Sequence, residues 1–276
     1  MIILQSKMIF GLVSPIEVIA KKFQASIPKN LVYIPNYNLR PSENILFLSS
    51  AKPQEFTNYR YGMVPSWVKE ERILYEAPVE NTNKPSHDVL IKKDIILSPD
   101  FRRPIREQRG ILPVDYIIVQ TDQGKPYVVF MKDKKRPMAL ACVWDAWKKD
   151  ILDDLVYGFA VITVPAFGEF AKTGIRQVPL ILTEYNYKRW LNKESSLSQI
   201  THLLHPLDEK YLNAYPISDT ILNSTDNERA LIDPMGELLV KEEKEVIFYM
   251  PHGYKKKKEP EVKQTLGERS KESLKK

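Results

Sequence analysis

The chain has 276 residues, of which 43% are hydrophobic and 28% charged, with a formal net charge of +6. That length buries a full core in one large domain, and only 10 glycines among so many apolar residues exclude a collagen-like or wholly disordered chain. The single cysteine, Cys142, excludes an internal disulfide and any cysteine-based zinc cluster, as expected of a cytoplasmic protein.

Much of the positive charge lies at the end, where Lys255, Lys256, Lys257 and Lys258 open a stretch with almost no large apolar residues. Residues 251–276 therefore read as a basic, disordered tail behind a single domain over residues 1–250. The apolar patch near Met1 is too short for a signal peptide, and no run of about 18 apolar residues exists to cross a membrane. His202 and His205 stand three apart with no carboxylate pattern around them, which predicts no metal site, and no cofactor motif is present.

In chain order, Met8 to Val13 is apolar and β-branched, which predicts a strand. It runs into Ser14-Pro15-Ile16-Glu17, spaced as a capping box with proline at the first helical position. Ile16, Ile19, Ala20 and Phe23 then share one face of a helix that stops before Pro28. Asn30 to Ile34 and Asn44 to Leu48 read as strands. Tyr61-Gly62-Met63-Val64-Pro65-Ser66-Trp67 is an apolar run that a proline ends, the pattern of a strand edge breaking into a loop. A further helix is expected to be capped near Ser98-Pro99-Asp100. Gly110 to Pro113 and Tyr116 to Val119 predict buried strands, and Pro126 to Met131 with Met138 to Trp144 predict a hairpin across the charged turn at Lys132 to Arg136. Phe159 to Val164 and Pro179 to Thr183 predict strands, and Glu184 to Leu191 and Ser195 to Leu204 predict helices. Many short strands with few amphipathic helices give the α+β class, built on a curved antiparallel or mixed sheet with flanking helices.

Tyr61 to Trp67 resembles the Trp-Gly-Leu-Ile-Pro-Ser-Trp signature of the SOS-response-associated peptidase (SRAP) family, which deals with abasic sites in single-stranded DNA. Other blocks resemble the family in the same order. Among them are Met8-Ile9-Phe10-Gly11, Ala77-Pro78-Val79-Glu80, Arg109 to Asp115, Trp144-Asp145-Ala146-Trp147, Val161-Ile162-Thr163, Val178 to Leu182 and Leu231 to Pro234. The resemblance covers about Met8 to Pro234 and implies a barrel-like fold.

It also implies a chemistry. In the family an N-terminal cysteine joins its amine and thiol to the ring-opened sugar aldehyde, a glutamate and a histidine shuttle protons, and an asparagine positions the sugar. Here the cysteine position falls on Ile9, the asparagine on Glu76, the glutamate on Val119, and the histidine near Lys172. The resemblance therefore implies a noncatalytic relative that binds DNA through Trp67, Pro65, Arg102, Arg103, Arg109 and Arg176. Two alternatives stay open. Lys172 offers an amine for a Schiff base with the abasic aldehyde, and the stretch from Asn81 to Asp100, together with the lysine tail, offers a surface for a partner other than DNA. Cys142, mid-strand beside Trp144, reads as a small core hydrophobe.

Overall fold

A computed structural model describes residues 8–80, 94–133, 136–150 and 152–240. The expected tail at 251–276, most of the stretch after Glu80 and the boundary at residue 250 lie outside these residues. The strands are β1 (Ile9–Leu12), β2 (Asn36–Leu39), β3 (Asn44–Ser49), β4 (Lys52–Tyr61), β5 (Glu76–Pro78), β6 (Arg109–Val114) and β7 (Tyr116–Gln120). They continue as β8 (Pro126–Met131), β9 (Met138–Trp147), β10 (Val156–Pro165), β11 (Gln177–Pro179), β12 (Ile181–Leu182) and β13 (Leu212–Pro216). The helices are short: α1 (Ile16–Phe23), α2 (Pro104–Glu107), α3 (Gly168–Lys172), α4 (Tyr187–Leu191), α5 (Leu197–Thr201) and α6 (Thr220–Asn223).

The class is α+β. In the larger sheet β10, β4, β3, β6 and β9 follow one another, and β9 pairs back onto β10, so five strands close into a barrel. Closure removes the free edges that an open sheet would expose. The joint between β10 and β4 is short and parallel, with Gly158 opposite Arg60 and Phe159 opposite Tyr61. Gly158 is needed there, because a Cβ would stand 2.3 Å from the Gly62 carbonyl oxygen. A second sheet, in the order β13-β8-β7-β1-β2, carries β1 at its interior. Aromatic rings run through the core: Phe10 meets Tyr61 at 5.2 Å between centroids, Tyr61 stacks on Phe159 at 5.4 Å, and Phe159 on Phe47 at 4.8 Å.

Four local expectations are corrected. Ser14 caps nothing; its hydroxyl donates to Asp115 at 2.5 Å, while the backbone N–H groups of Val13 and Ser14 donate to the same carboxylate at 2.6 and 2.7 Å. A buried carboxylate with open lone pairs outcompetes the local cap. Asn30 to Ile34 forms no strand, because prolines flank it and the Tyr33 hydroxyl ties it to the carbonyls of Leu12 and Ser14 instead. β8 and β9 are not a hairpin. β8 pairs with β7 across the Thr121–Lys125 turn, where Gly124 takes φ +79°, and β9 belongs to the barrel. The helix expected near Ser98 starts at Pro104, after a run of turns. Helix α5 keeps its cap, a full capping box between Ser196 and Gln199.

Candidate functional site

Two places are candidates for a functional site, one inside the core and one on the surface. The inner place is set by β1, β4, β5 and β7. Successive residues of a strand face opposite ways, so Phe10 packs on Tyr61 in the main core while Ile9 joins a separate cluster with Tyr116 and Ile118. Ile9 therefore lies in a different cluster from Tyr61, whereas Phe10 packs on that ring. Val119 is buried in the same core as Phe10, on a strand whose Ile117 pairs with it.

Tyr61 is fully buried, and its hydroxyl has no hydrogen-bond partner among the described residues. Burial, then the nearby Glu76 carboxylate, raise its pKa well above the ordinary value. Glu76 sits on β5 beside β10, opposite Val161, and its Oε1 is also buried without a partner. Burial pushes its carboxyl up to about 7, since an uncompensated charge in an apolar site favours the neutral acid. Cys142 is fully buried in β9 with its thiol pushed well above the usual range by desolvation. The inner site thus holds an aromatic, an aliphatic and a reluctant acid, with no accessible nucleophile among the described residues.

Lys172 lies elsewhere. It ends α3, 72% of its side chain is exposed, and its Nζ contacts the Glu169 carboxylate at 2.6 Å. That hydrogen bond raises its pKa, whereas an amine nucleophile needs a lowered one. The chain turns into the core three residues later, at Ile175, which is buried.

The surface place is a cleft of about 440 Å³ whose lining includes Ser66, Trp67, Asp100, Arg102, Arg103 and Asp145. The turn after Pro65 projects Trp67, which is 61% exposed. Pro65 itself is buried and shapes the turn. Arg72 lies 5.7 Å over the Trp67 ring and forms an ion pair with Asp100, pinning the indole to the segment ahead of α2. Asp145, on β9, accepts from the Ser66 N–H at 2.8 Å and so anchors the turn from beneath. Arg102 and Arg103 are exposed at the cleft; Arg103 pairs loosely with Glu107, while the Arg102 guanidinium has no partner among the described residues.

One expected DNA contact is corrected. Arg109 is fully buried and donates to the carbonyls of Trp190 at 2.7 Å, Ile105 at 2.9 Å and Asn192 at 2.6 Å, and to that of Arg106. These carbonyls close the ends of α2 and α4, so the cation completes two helix termini and cannot meet a phosphate. Arg176 is exposed but bonds Asp122 and does not line the cleft. Sequence reasoning missed Phe10, Arg72 and Asp145. Strand alternation from Gly11 would have singled out Phe10, whereas nothing in the charged run around Arg72 sets it apart from a solvated face.

The chain matches the family model described as SOS response associated peptidase (SRAP) over residues 10–224. It is similar to the abasic site processing protein YoaM of Bacillus subtilis (strain 168), 29% identical over 206 residues that cover 73% of this chain and 86% of that protein. It is also similar to the abasic site processing protein HMCES of Pongo abelii, 22% identical over 253 residues, 76% of this chain and 68% of that protein. Among solved structures, a protein from Bacteroides thetaiotaomicron superposes with a TM-score of 0.69 at 20% identity, covering 82% of this chain and 98% of the other. That likeness shows a shared fold.

Proposed function

Since the chain belongs to the SOS response associated peptidase family, we propose that it binds single-stranded DNA at abasic sites and forms no cysteine-dependent crosslink. The relatives named as abasic site processing proteins supply the substrate class. The observation that carries the reading is the place of the sulfur: the chain's one cysteine, Cys142, is sealed in β9. A thiol raised in pKa by apolar surroundings is a poor nucleophile, and one mid-barrel cannot reach a sugar. Phe10, on the face of β1 toward Tyr61, fills that part of the core with an unreactive ring.

The surface cleft supports retained binding. An indole held at one face and exposed elsewhere offers a stacking platform for an unpaired base, worth about 1 to 3 kcal/mol, and two exposed arginines beside it suit the backbone. Schiff-base chemistry at Lys172 finds no support, given its exposure and its carboxylate partner.

The test is incubation of the purified chain with a single-stranded oligonucleotide carrying one abasic site, with and without borohydride, resolved on a denaturing gel beside an anisotropy titration. No covalent band in either lane, with binding that weakens in Trp67→Ala, is the expected result. A band that survives denaturation without reductant overturns the noncatalytic reading, and a band dependent on borohydride restores amine chemistry.

A further inference from the structure

Beneath Trp67 the cleft holds a feature that backbone binding alone leaves unused. Asp145 is only 4% exposed yet lines the cleft. Its Oδ2 takes the Ser66 N–H, and its Oδ1 takes the Gln108 Nε2 at 3.1 Å and its own strand's Ala146 N–H at 2.9 Å. Among the described residues no lysine or arginine pairs with it. A carboxylate has about four acceptor directions, and three are filled. The remaining one belongs to an anchored acceptor beside an aromatic platform, and the Ser66 hydroxyl next to it is exposed and has no partner among the described residues.

We propose that this cleft takes one unstacked nucleobase and selects bases that carry an exocyclic amine on their pairing edge, with Asp145 as the acceptor. The proposal rests on the reading that the chain binds single-stranded DNA. The base stacks on Trp67, which Arg72 and Asp100 hold in place. Its edge points at Asp145, and Arg102, a rim cation with no partner among the described residues, meets the phosphate. The volume of about 440 Å³ lies in the range of small-ligand sites. Charge explains the orientation, because a buried carboxylate repels phosphate and so must face the base edge while the arginines face the backbone. Carboxylates accept from the cytosine amine, whereas thymine presents a carbonyl oxygen at the same place and sets acceptor against acceptor. Ser66 has both donor and acceptor capacity and discriminates little.

The experiment compares the full chain's affinity for oligo(dC) and oligo(dT) of equal length by fluorescence anisotropy at fixed salt. We expect oligo(dC) to bind at least about fivefold tighter, and Asp145→Ala, which removes the acceptor altogether, to erase that ratio. Thermal melting of the variant checks that the turn survives. A DNA-side substitution keeps the test valid if it does not: replacing cytosine by 2-pyrimidinone, which lacks the amine, must abolish the preference in the wild-type chain. Equal affinities for the two homopolymers, with loss on both in Trp67→Ala, overturn the base readout and leave DNA binding standing. No measurable binding to either oligomer overturns both.

Discussion

Glu76 is an acid held where it is better protonated. Its folded pKa of about 7 exceeds the ordinary 4.5, so between those values the native state binds more protons than the unfolded chain. Stability must therefore fall as pH rises through that window and level off above it, by about 3 kcal/mol in all. Glu76→Gln is expected to remove this slope and to raise stability at neutral pH, read from denaturant midpoints at pH 5 and pH 8; an unchanged slope would mean that the carboxyl is solvated. Arg109 behaves oppositely. Burial lowers its pKa to about 10, still charged at neutral pH, and its donors satisfy four carbonyls. Arg109→Met should cost about 3 kcal/mol or more through the carbonyls left unpaired, and it should do so without changing DNA affinity in the population that remains folded. In the sequence this arginine stands among others near Pro104 and looks like one more phosphate ligand. What separates it is burial, which depends on α4 packing some 80 residues away, and spacing does not encode that.

Elements show the same division. Helix α1 ends where Gln24 takes φ 52° and the Ala25 N–H reaches back to Ala20, a left-handed stop of the usual kind. Its end before Pro28 was legible, and so were the buried runs that became β6, β7 and β10. The pairing of β8 and β9 was not, since two apolar runs around a charged turn satisfy the hairpin pattern whichever sheet each joins. Nor was the barrel's closing joint, which depends on two glycines from distant segments. Gly158→Ala would drive a methyl group into the Gly62 carbonyl and should loosen the β10–β4 joint. We expect a loss of about 1 to 3 kcal/mol, with hydrogen exchange rising first at the Gly62 amide, which donates to the Phe159 carbonyl at 2.9 Å. Exchange confined to other strands would show that the joint tolerates the methyl. The surface cleft was half legible: Trp67, Arg102 and Arg103 were visible in the sequence, but the Arg72–Asp100 clasp joins two loops whose proximity only the fold creates.

At the scale of the whole molecule, charge and fold part company. From Lys255 to Lys276 the sequence carries nine basic and four acidic residues, nearly the whole net charge of +6, and all of them lie beyond the compact unit that ends at Lys241. Long-range attraction for a polyanion should therefore come mainly from this segment, and selectivity from the cleft. Deleting residues 255–276 is expected to flatten the salt dependence of oligonucleotide affinity, while the effect of Trp67→Ala persists at its full ratio. If the deletion leaves the slope of log K against log salt unchanged, the phosphate contacts belong to the folded part.

The tie between Ser14 and Asp115 has a consequence in time. β1 lies between β2 and β7, and its partners on the β7 side are Tyr116, Ile117 and Ile118. At synthesis rates of about 5 to 20 residues per second, an apolar strand made at the start of the domain waits roughly 5 to 20 s for those partners to emerge. Through that interval Phe10 has no Tyr61 ring enclosed beside it, and Asp115 has not arrived to hold Val13 and Ser14. The interior position of β1, which makes the finished sheet secure, leaves its β7-side edge unpaired until residues 116–118 have been made.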